Sequence, residues 1–360
     1  MSDTTTKVML QAYKDGVEPI GFLAGQFQAP PQNFHSSEEV EIDIKRSGRK
    51  VAIAVQDLST GARMNAAELF TNKAYKPAIL REKAVVNAFD LTKRNPGEDP
   101  FQSVDFQVNA IRKAVDVGMG MNEKIQRTIE LQASQVLQTG KIDLVDESNK
   151  TVYEIDFKPK TSHFPTVSAS WGASGATIAA DITALANEIS KNGKRSPDLL
   201  EMGETAFENF IADDAINKRF DSLRIEGSGI VPMQRLGNGG IYRGVAEIGN
   251  RKYDVWTYDA WYEDPADGTT KQYIDSDKVI IRSSQGRLDA TFGLIPKIGG
   301  RDPRVPEELF QRISNGELMV DIQMFGQILG NGDGLEIEVG TRPLLIPTAI
   351  DTFGCLTTTA

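Results

Sequence analysis

A chain of 360 residues, 40% hydrophobic and 25% charged, has the composition of an ordinary globular protein with room for two or three lobes, each with its own core. Its formal net charge of −10 argues against a protein that neutralises DNA phosphates over a broad basic face. The single cysteine, Cys355, excludes an intrachain disulfide and a multi-thiolate metal site, and two histidines, His35 and His163, leave little supply for a histidine zinc site.

The N-terminus, MSDTTTKVMLQAYKDG, lacks the basic and then apolar regions of a secretory signal. No window approaches the about eighteen uninterrupted apolar residues of a membrane span. The expectation is a soluble chain made in a reducing cytoplasm. Residues 1–37 read as an extended arm, with Phe22, Leu23, Phe27 and Phe34 set around Pro30-Pro31 without periodicity. Apolar groups on an irregular segment dock onto something larger. Val40, Ile42 and Ile44 then alternate with Glu41, Asp43 and Lys45, the period-2 pattern of a half-buried strand, and Val51, Ile53 and Val55 repeat it. Asp57 to Asn65 is small and polar, and a third extended run goes from Leu69 to Val86. So long a charged hairpin, weakly apolar at its tip, is poorly stabilised by its own chain. Another subunit completing it makes physical sense of the pattern.

After KRNPGEDP comes the longest helical signal, with Phe106, Ala110, Ile111, Ala114, Ile125, Ile129, Ala133, Val136 and Leu137 at helical spacing. Gly118 and Gly120 predict a kink, Asn122 a restart, and Gly140 the end. Lys141–Val145 and Val152–Phe157 read as a hairpin. Ile178, Ile182, Leu185, Ala186 and Ile189 mark an amphipathic helix, and Ala206 to Arg219 a second one. Ile241 to Ile281 and the remainder of the chain are strand-like. No internal repeat stands out.

Candidate chemistry is sparse. SWGASGAT (170–177) is glycine-rich and opens a helix, but it lacks the Lys-Ser/Thr ending of a phosphate loop and the spacing of a dinucleotide fingerprint. A capping loop explains it, and a turn before a strand explains GNGG (237–240). Trp256, Tyr258, Trp261 and Tyr262 beside Asp259, Glu263 and Asp264 resemble the aromatic platform and carboxylates of a glycosidase. Strand packing with a polar turn explains the same residues. Cys355, in an apolar strand pattern, reads as core, and His163 has no recognisable catalytic partner. No catalytic, cofactor or metal residues are assigned.

Several stretches in order resemble the major capsid protein E family of tailed phages. FTNKAYKPAILREKAVVNAFDLTKR (70–94) resembles the end of that family's extended loop. LQASQVLQTGKIDL with a hairpin ending in EIDF resembles its spine helix and adjoining strands. W–GASGATIAADITAL, YDVWTYDAWYED…YIDSDKVIIRSSQGR and TRPLLIPTAIDTFGCLTTTA resemble the opening, central strands and closing strands that follow. The resemblance implies an α+β, Hong Kong 97-type capsid fold. It places an N-terminal arm at 1–37, an extended loop at 50–85, a peripheral domain at 38–49 with 86–165 and 288–360, and an axial domain at 166–287. It places the spine helix, within the peripheral domain, at about 102–139.

It implies a structural protein, not an enzyme, that self-assembles into hexamers and pentamers of an icosahedral or prolate head around a double-stranded DNA genome. The implied partners are further copies of the chain, a separately encoded scaffolding protein, a portal, a decoration protein, and packaged DNA held without sequence-specific contacts. The implied location is the virion, after assembly in the host cytoplasm. A closed shell needs heterologous contacts. Phe22, Leu23, Phe27 and Phe34 are the expected apolar contacts to neighbouring subunits, and Arg46, Arg49, Lys73, Lys76, Arg81 and Glu82 the expected polar ones. On that expectation, deleting residues 1–34 spares folding of the monomer. Some relatives crosslink a loop lysine to an asparagine. Lys73 and Lys76 are on offer, but no Asn–Glu pairing is singled out. A nanocompartment shell and a carbohydrate-active enzyme are the alternative readings.

Overall fold

The computed structural model describes residues 21–30, 33, 39–44, 71–87, 106–145, 150–218, 220–221, 224–226, 229–231, 238–293, 323–328 and 334–360. The apolar repeat after Phe106 forms one helix of 34 residues, α1 (Phe106–Thr139). Met121, Ile125, Ile129, Ala133, Val136 and Leu137 make its buried stripe. The expected interruption does not occur: the helix runs unbroken through both Gly118 and Gly120. A helical glycine costs about 1 kcal/mol against alanine, while each large apolar side chain buried in the stripe returns about 1.5–3 kcal/mol. Asn122, expected to cap a restart, is buried inside the helix. Gly140 ends it in the left-handed region, φ 70°, with its N–H on the Val136 carbonyl at 2.8 Å.

Val40, Ile42 and Ile44 form β1 (Val40–Ile44), which pairs antiparallel with β2 (Thr71–Tyr75), Val40 opposite Tyr75 and Ile44 opposite Thr71. The strand expected at 51–55 lies outside the described residues. The run expected from Leu69 to Val86 is divided at 76–79, around Pro77, and resumes as β3 (Leu80–Asn87). The expected hairpin is β4 (Lys141–Val145) with β5 (Thr151–Asp156).

The chain then enters α2 (Ile178–Gly193), which buries Ile178, Ile182, Leu185, Ala186 and Ile189 as the spacing predicts. An unexpected strand follows, β6 (Leu199–Met202). The single helix expected over Ala206–Arg219 is two, α3 (Glu204–Ala212) and α4 (Asp214–Asn217). Asp213 separates them with extended backbone, and its carboxylate accepts the N–H groups of Ala215 and Ile216 as the cap of the second helix. Strands β7 (Phe220–Asp221), β8 (Arg224–Glu226), β9 (Gly229–Val231), β10 (Gly240–Ile248), β11 (Arg251–Tyr258), β12 (Trp261–Glu263), β13 (Thr270–Gln272) and β14 (Lys278–Arg282) follow. The chain closes with β15 (Asp289–Phe292), β16 (Gln323–Ile328), β17 (Gly334–Thr341), β18 (Pro343–Ile346) and β19 (Phe353–Thr357).

Six strands make the main sheet, in the order β19-β14-β6-β11-β10-β7. The sheet is covered on both faces. On β14, Ile280 joins the core against α1, while Val279 and Ile281 join the core against α2. On β19, Phe353 and Cys355 face the first core and Leu356 the second. A strand buried on both faces reads as an unbroken apolar run, as Val279-Ile280-Ile281 does. The final strand thus joins the sheet built from residues 199–282 and lies between the two cores. A smaller sheet, β16-β17-β3, carries the returning leg of the charged arm.

Candidate functional site: the docked arm and the loop base

The apolar N-terminal segment packs on its own chain. Phe22, Leu23 and Phe27 are buried in the first core of their own chain, Leu23 completely. Of the residues expected as apolar contacts to neighbours, Leu23 has no surface left to bury elsewhere, and Phe22 and Phe27 have little. The Phe22 ring packs on Trp256 and Tyr258, with centroids 5.5 and 5.3 Å away. Its seat requires Gly240, whose Cβ, if present, would lie 2.4 Å from Phe22 Cδ2.

Polar contacts fix the register of the segment. The backbone N–H groups of Leu23 and Ala24 donate to Glu130 Oε1 and Oε2, each at 2.8 Å. These donors open a single 3₁₀ turn at Ala24–Gln26, where backbone N–H groups lack intrahelical partners. Burial drives the Glu130 carboxyl above its ordinary pKa, and the two backbone donors offset only part of that shift. Gln26 Nε2 donates to Glu201 Oε1 at 2.7 Å, and the same oxygen accepts Arg282 Nε at 3.0 Å and Nη2 at 2.9 Å. Further on, Gln28 N–H donates to the Leu288 carbonyl at 2.9 Å, and Ala290 N–H returns to the Gln28 carbonyl at 2.8 Å. Asn33 Nδ2 reaches the Ala290 carbonyl at 3.1 Å. The segment therefore touches α1, the main sheet and β15 in turn.

The second feature is the root of the long arm. β1 and β2 are its two legs, so the chain leaves at Ile44 and returns at Thr71 in register. Just past β2, the Pro77 carbonyl accepts Arg342 Nε at 3.0 Å. Arg342 is 1% exposed, the bulkiest fully buried side chain described. β3 runs antiparallel to β17, where Arg81 pairs with Glu338 and Lys83 with Glu336, the latter at 2.8 Å. Glu82 meets Lys124 of α1 at 3.6 Å. Ile79 and Val85 are exposed, 48% and 44%.

Of the residues expected at subunit contacts, Lys73 lies in β2 opposite Ile42, and Lys76 is exposed at the turn out of that strand. Arg81 and Glu82 make the intrachain ion pairs just given. Phe34, Arg46 and Arg49 lie outside the described residues. Glu130, Glu201 and Arg342 were not anticipated. For Glu130 a signal existed: a lone carboxylate beside Ile129 in an otherwise apolar stripe needs donors brought from elsewhere.

The enzyme-like aromatic group is packing. Phe22 covers Trp256 and Tyr258, and Tyr258 stacks on Tyr273 at 5.8 Å, leaving Trp261 as the exposed member. Asp259 accepts Trp261 Nε1 at 3.2 Å, and Asp264 pairs with Lys271 and caps the turn at Ala266. In the SWGASGAT stretch, Trp171 Nε1 and Thr177 Oγ1 both donate to Asp181, at 3.0 and 3.2 Å. His163 is fully buried, with Nδ1 2.8 Å from the Phe353 carbonyl and Nε2 3.0 Å from Asn192 Nδ2. An amide N–H can only donate, so Nε2 accepts and Nδ1 carries the proton. Cys355 is core, and burial pushes its thiol up to about 12. Among the described residues no cluster of histidine, cysteine and carboxylate groups could hold a metal ion.

The sequence matches the family model described as phage major capsid protein E over residues 5–357. Among solved structures the chain is similar to the putative capsid protein of a prophage of E. coli CFT073. The TM-score is 0.66 with 16% identity over 99% of both chains. A phage-related protein from Bordetella bronchiseptica RB50 is more distant, with a TM-score of 0.48 and 10% identity over 98% of this chain and 96% of that one. No curated protein sequence matches the chain. The α+β architecture is thus the Hong Kong 97-type capsid fold, and the protein is a structural capsid protein. By a match that runs almost from end to end, the chain belongs to the phage major capsid protein E family.

Proposed function

We propose that copies of this chain assemble into the hexamers and pentamers of an icosahedral or prolate head that encloses the double-stranded DNA of a tailed phage. The observation that carries this reading, beyond the family itself, is the rooted arm. Residues 44 and 71 face each other across β1 and β2. Between them, in residues 45–70, the middle from Asp57 to Asn65 is small and polar, with too little apolar surface to build a core. A loop whose root is bolted by Arg342 and whose tip has no apolar surface for a core suits a bridge to the next subunit.

In this reading the extended loop is 50–85, and 38–49 with 86–165 and 288–360 form the peripheral domain. Residues 166–287 form the axial domain. The two cores on either side of the main sheet support the division, with β19 shared between them. Arg46, Arg49, Lys73, Lys76, Arg81 and Glu82 lie on or beside the loop and serve as polar contacts to neighbours. Such rim charges set register and partner choice more than strength. The protein catalyses no reaction. Assembly takes place in the host cytoplasm with a separate scaffolding protein and a portal, and a decoration protein binds outside. A net charge of −10 fits a wall that does not grip packaged DNA.

Electron microscopy of the purified full chain tests the reading. Uniform shells or capsomers are the expected result. Monodisperse single chains at every concentration would overturn it, and shells purified from cells with an enzyme cargo in place of DNA would make the protein a nanocompartment wall.

A further inference from the structure

Glu130 is a buried carboxylate, 1% exposed, that accepts two backbone N–H groups at 2.8 Å from a segment more than a hundred positions away, with the Tyr258 hydroxyl and the Phe22 N–H as further donors. Tyr258 on β11 and Tyr273 beyond β13 are the titratable groups facing it. Arg127, one turn earlier on α1, is half exposed and pairs with Glu123 at 3.2 Å. The segment itself, residues 21–30, contains no ionisable side chain. A buried carboxylate with no cation against it keeps much of its desolvation cost, which N–H donors reduce but do not cancel.

The segment is also a separate unit. Among the described residues it holds one 3₁₀ turn, Ala24–Gln26, and one backbone bridge to a strand, Gln28 parallel to Asp289. Its anchors fall on three different elements: Glu130 on α1, Glu201 on β6, and Leu288 with Ala290 at β15. Closing it ties the helix to the sheet. Opening it breaks few backbone hydrogen bonds and none of the ladders within the main sheet.

We propose that residues 21–30 are a clasp that opens as a unit while the rest of the fold stays intact, with Glu130 as its proton-linked catch. With the clasp closed, Glu130 is desolvated and holds its proton more tightly than in water. With the clasp open, the carboxyl is hydrated and ionises in its ordinary range. Closing therefore takes up a proton. The closed form is favoured most below the ordinary carboxylate pKa, and this advantage is lost as pH rises through the raised pKa of the closed state. Between those limits the closing equilibrium falls by up to about tenfold per pH unit. At neutral pH the clasp is thus held by Phe22, Leu23 and the Gln26–Glu201 contact against a cost imposed by its own catch.

Amide hydrogen exchange on the full chain tests this, comparing Leu23 and Ala24 with the α1 core at Ile129 and Ala133, in steps from about pH 4 to pH 8 so that the ordinary carboxylate range is included, after correction for intrinsic rates. The expected result is that Leu23 and Ala24 exchange faster than the α1 amides, and that their protection falls as pH rises while that of α1 does not follow. E130Q keeps one acceptor oxygen but cannot ionise, so the pH dependence at Leu23 and Ala24 should vanish in it. Equal protection of clasp and helix would show that the segment opens only on global unfolding and would overturn the proposal. So would a pH dependence that is absent in the native chain or unchanged in E130Q.

Discussion

The Phe22 ring rests on the backbone of Gly240, and a methyl group there would come within 2.4 Å of it. The contact spans the chain from its N-terminal segment to the first residue of β10, so the arm is seated where only hydrogen fits. Gly240→Ala should push the ring off its platform on Trp256 and Tyr258 and cost about 1–3 kcal/mol as overpacking. Phe22→Ala, which empties the seat, should cost about 3–5 kcal/mol. Urea midpoints read both, and full stability in G240A would show that the ring is not held there.

Deletion of residues 1–34 should destabilise the folded chain rather than spare it. The deletion removes Leu23, fully buried, together with Phe22 and Phe27. Each is worth on the order of 1.5–3 kcal/mol of burial, a large part of a stability of about 5–15 kcal/mol. Loss of solubility or a lower thermal midpoint is the expected outcome, whereas an unchanged midpoint would place the segment outside the core.

Arg342→Ala should loosen the root of the loop. The substitution leaves a buried cavity and removes the donor to the Pro77 carbonyl. An unmet buried acceptor alone costs about 1–3 kcal/mol. Limited proteolysis should cut faster between residues 76 and 79, and an unaltered cleavage rate would show that the root is held by other contacts.

Stability should respond to Glu130 with a definite sign. Its pKa is raised in the folded state, so its contribution is fully present below the unfolded value and is lost as pH rises through the folded one. Replacing it with glutamine should therefore flatten part of the decline in stability from acid towards neutral pH. Denaturant titrations at several pH values compare the two chains, and parallel pH profiles would refute the assignment.

Cys355 should resist thiol reagents in the native state. Its sulfur is buried and its thiol is held near 12, so almost no thiolate exists at neutral pH. Labelling by a thiol-specific reagent should appear only on unfolding, and stoichiometric labelling of the folded chain would contradict the burial.

What could be read locally was read from spacing. The alternation of Val40, Ile42 and Ile44 set β1, the stripe from Met121 to Leu137 set the second half of α1, and Ile178 to Ile189 set α2. Gly140 marked a helix end because only a residue free of Cβ strain takes φ 70° cheaply. Where two local signals competed, packing chose. Gly118 and Gly120 did not break α1 because its buried face outweighed them, and Leu199 to Met202 was too short to announce a strand. It became the middle of a six-stranded sheet through partners at 254–257 and 279–282.

By itself the sequence determined which segments are helical, which are extended, and which carry too little apolar surface to fold alone. Period and composition are properties of neighbours along the chain. Only the tertiary structure decided that Phe22, Leu23 and Phe27 belong to their own core, that Glu130 meets Leu23 across 107 positions, and that Arg342 bolts the loop at Pro77. Those contacts join residues far apart in sequence, and their energy comes from desolvation and hydrogen-bond geometry that exist only once the sheet and helix are assembled.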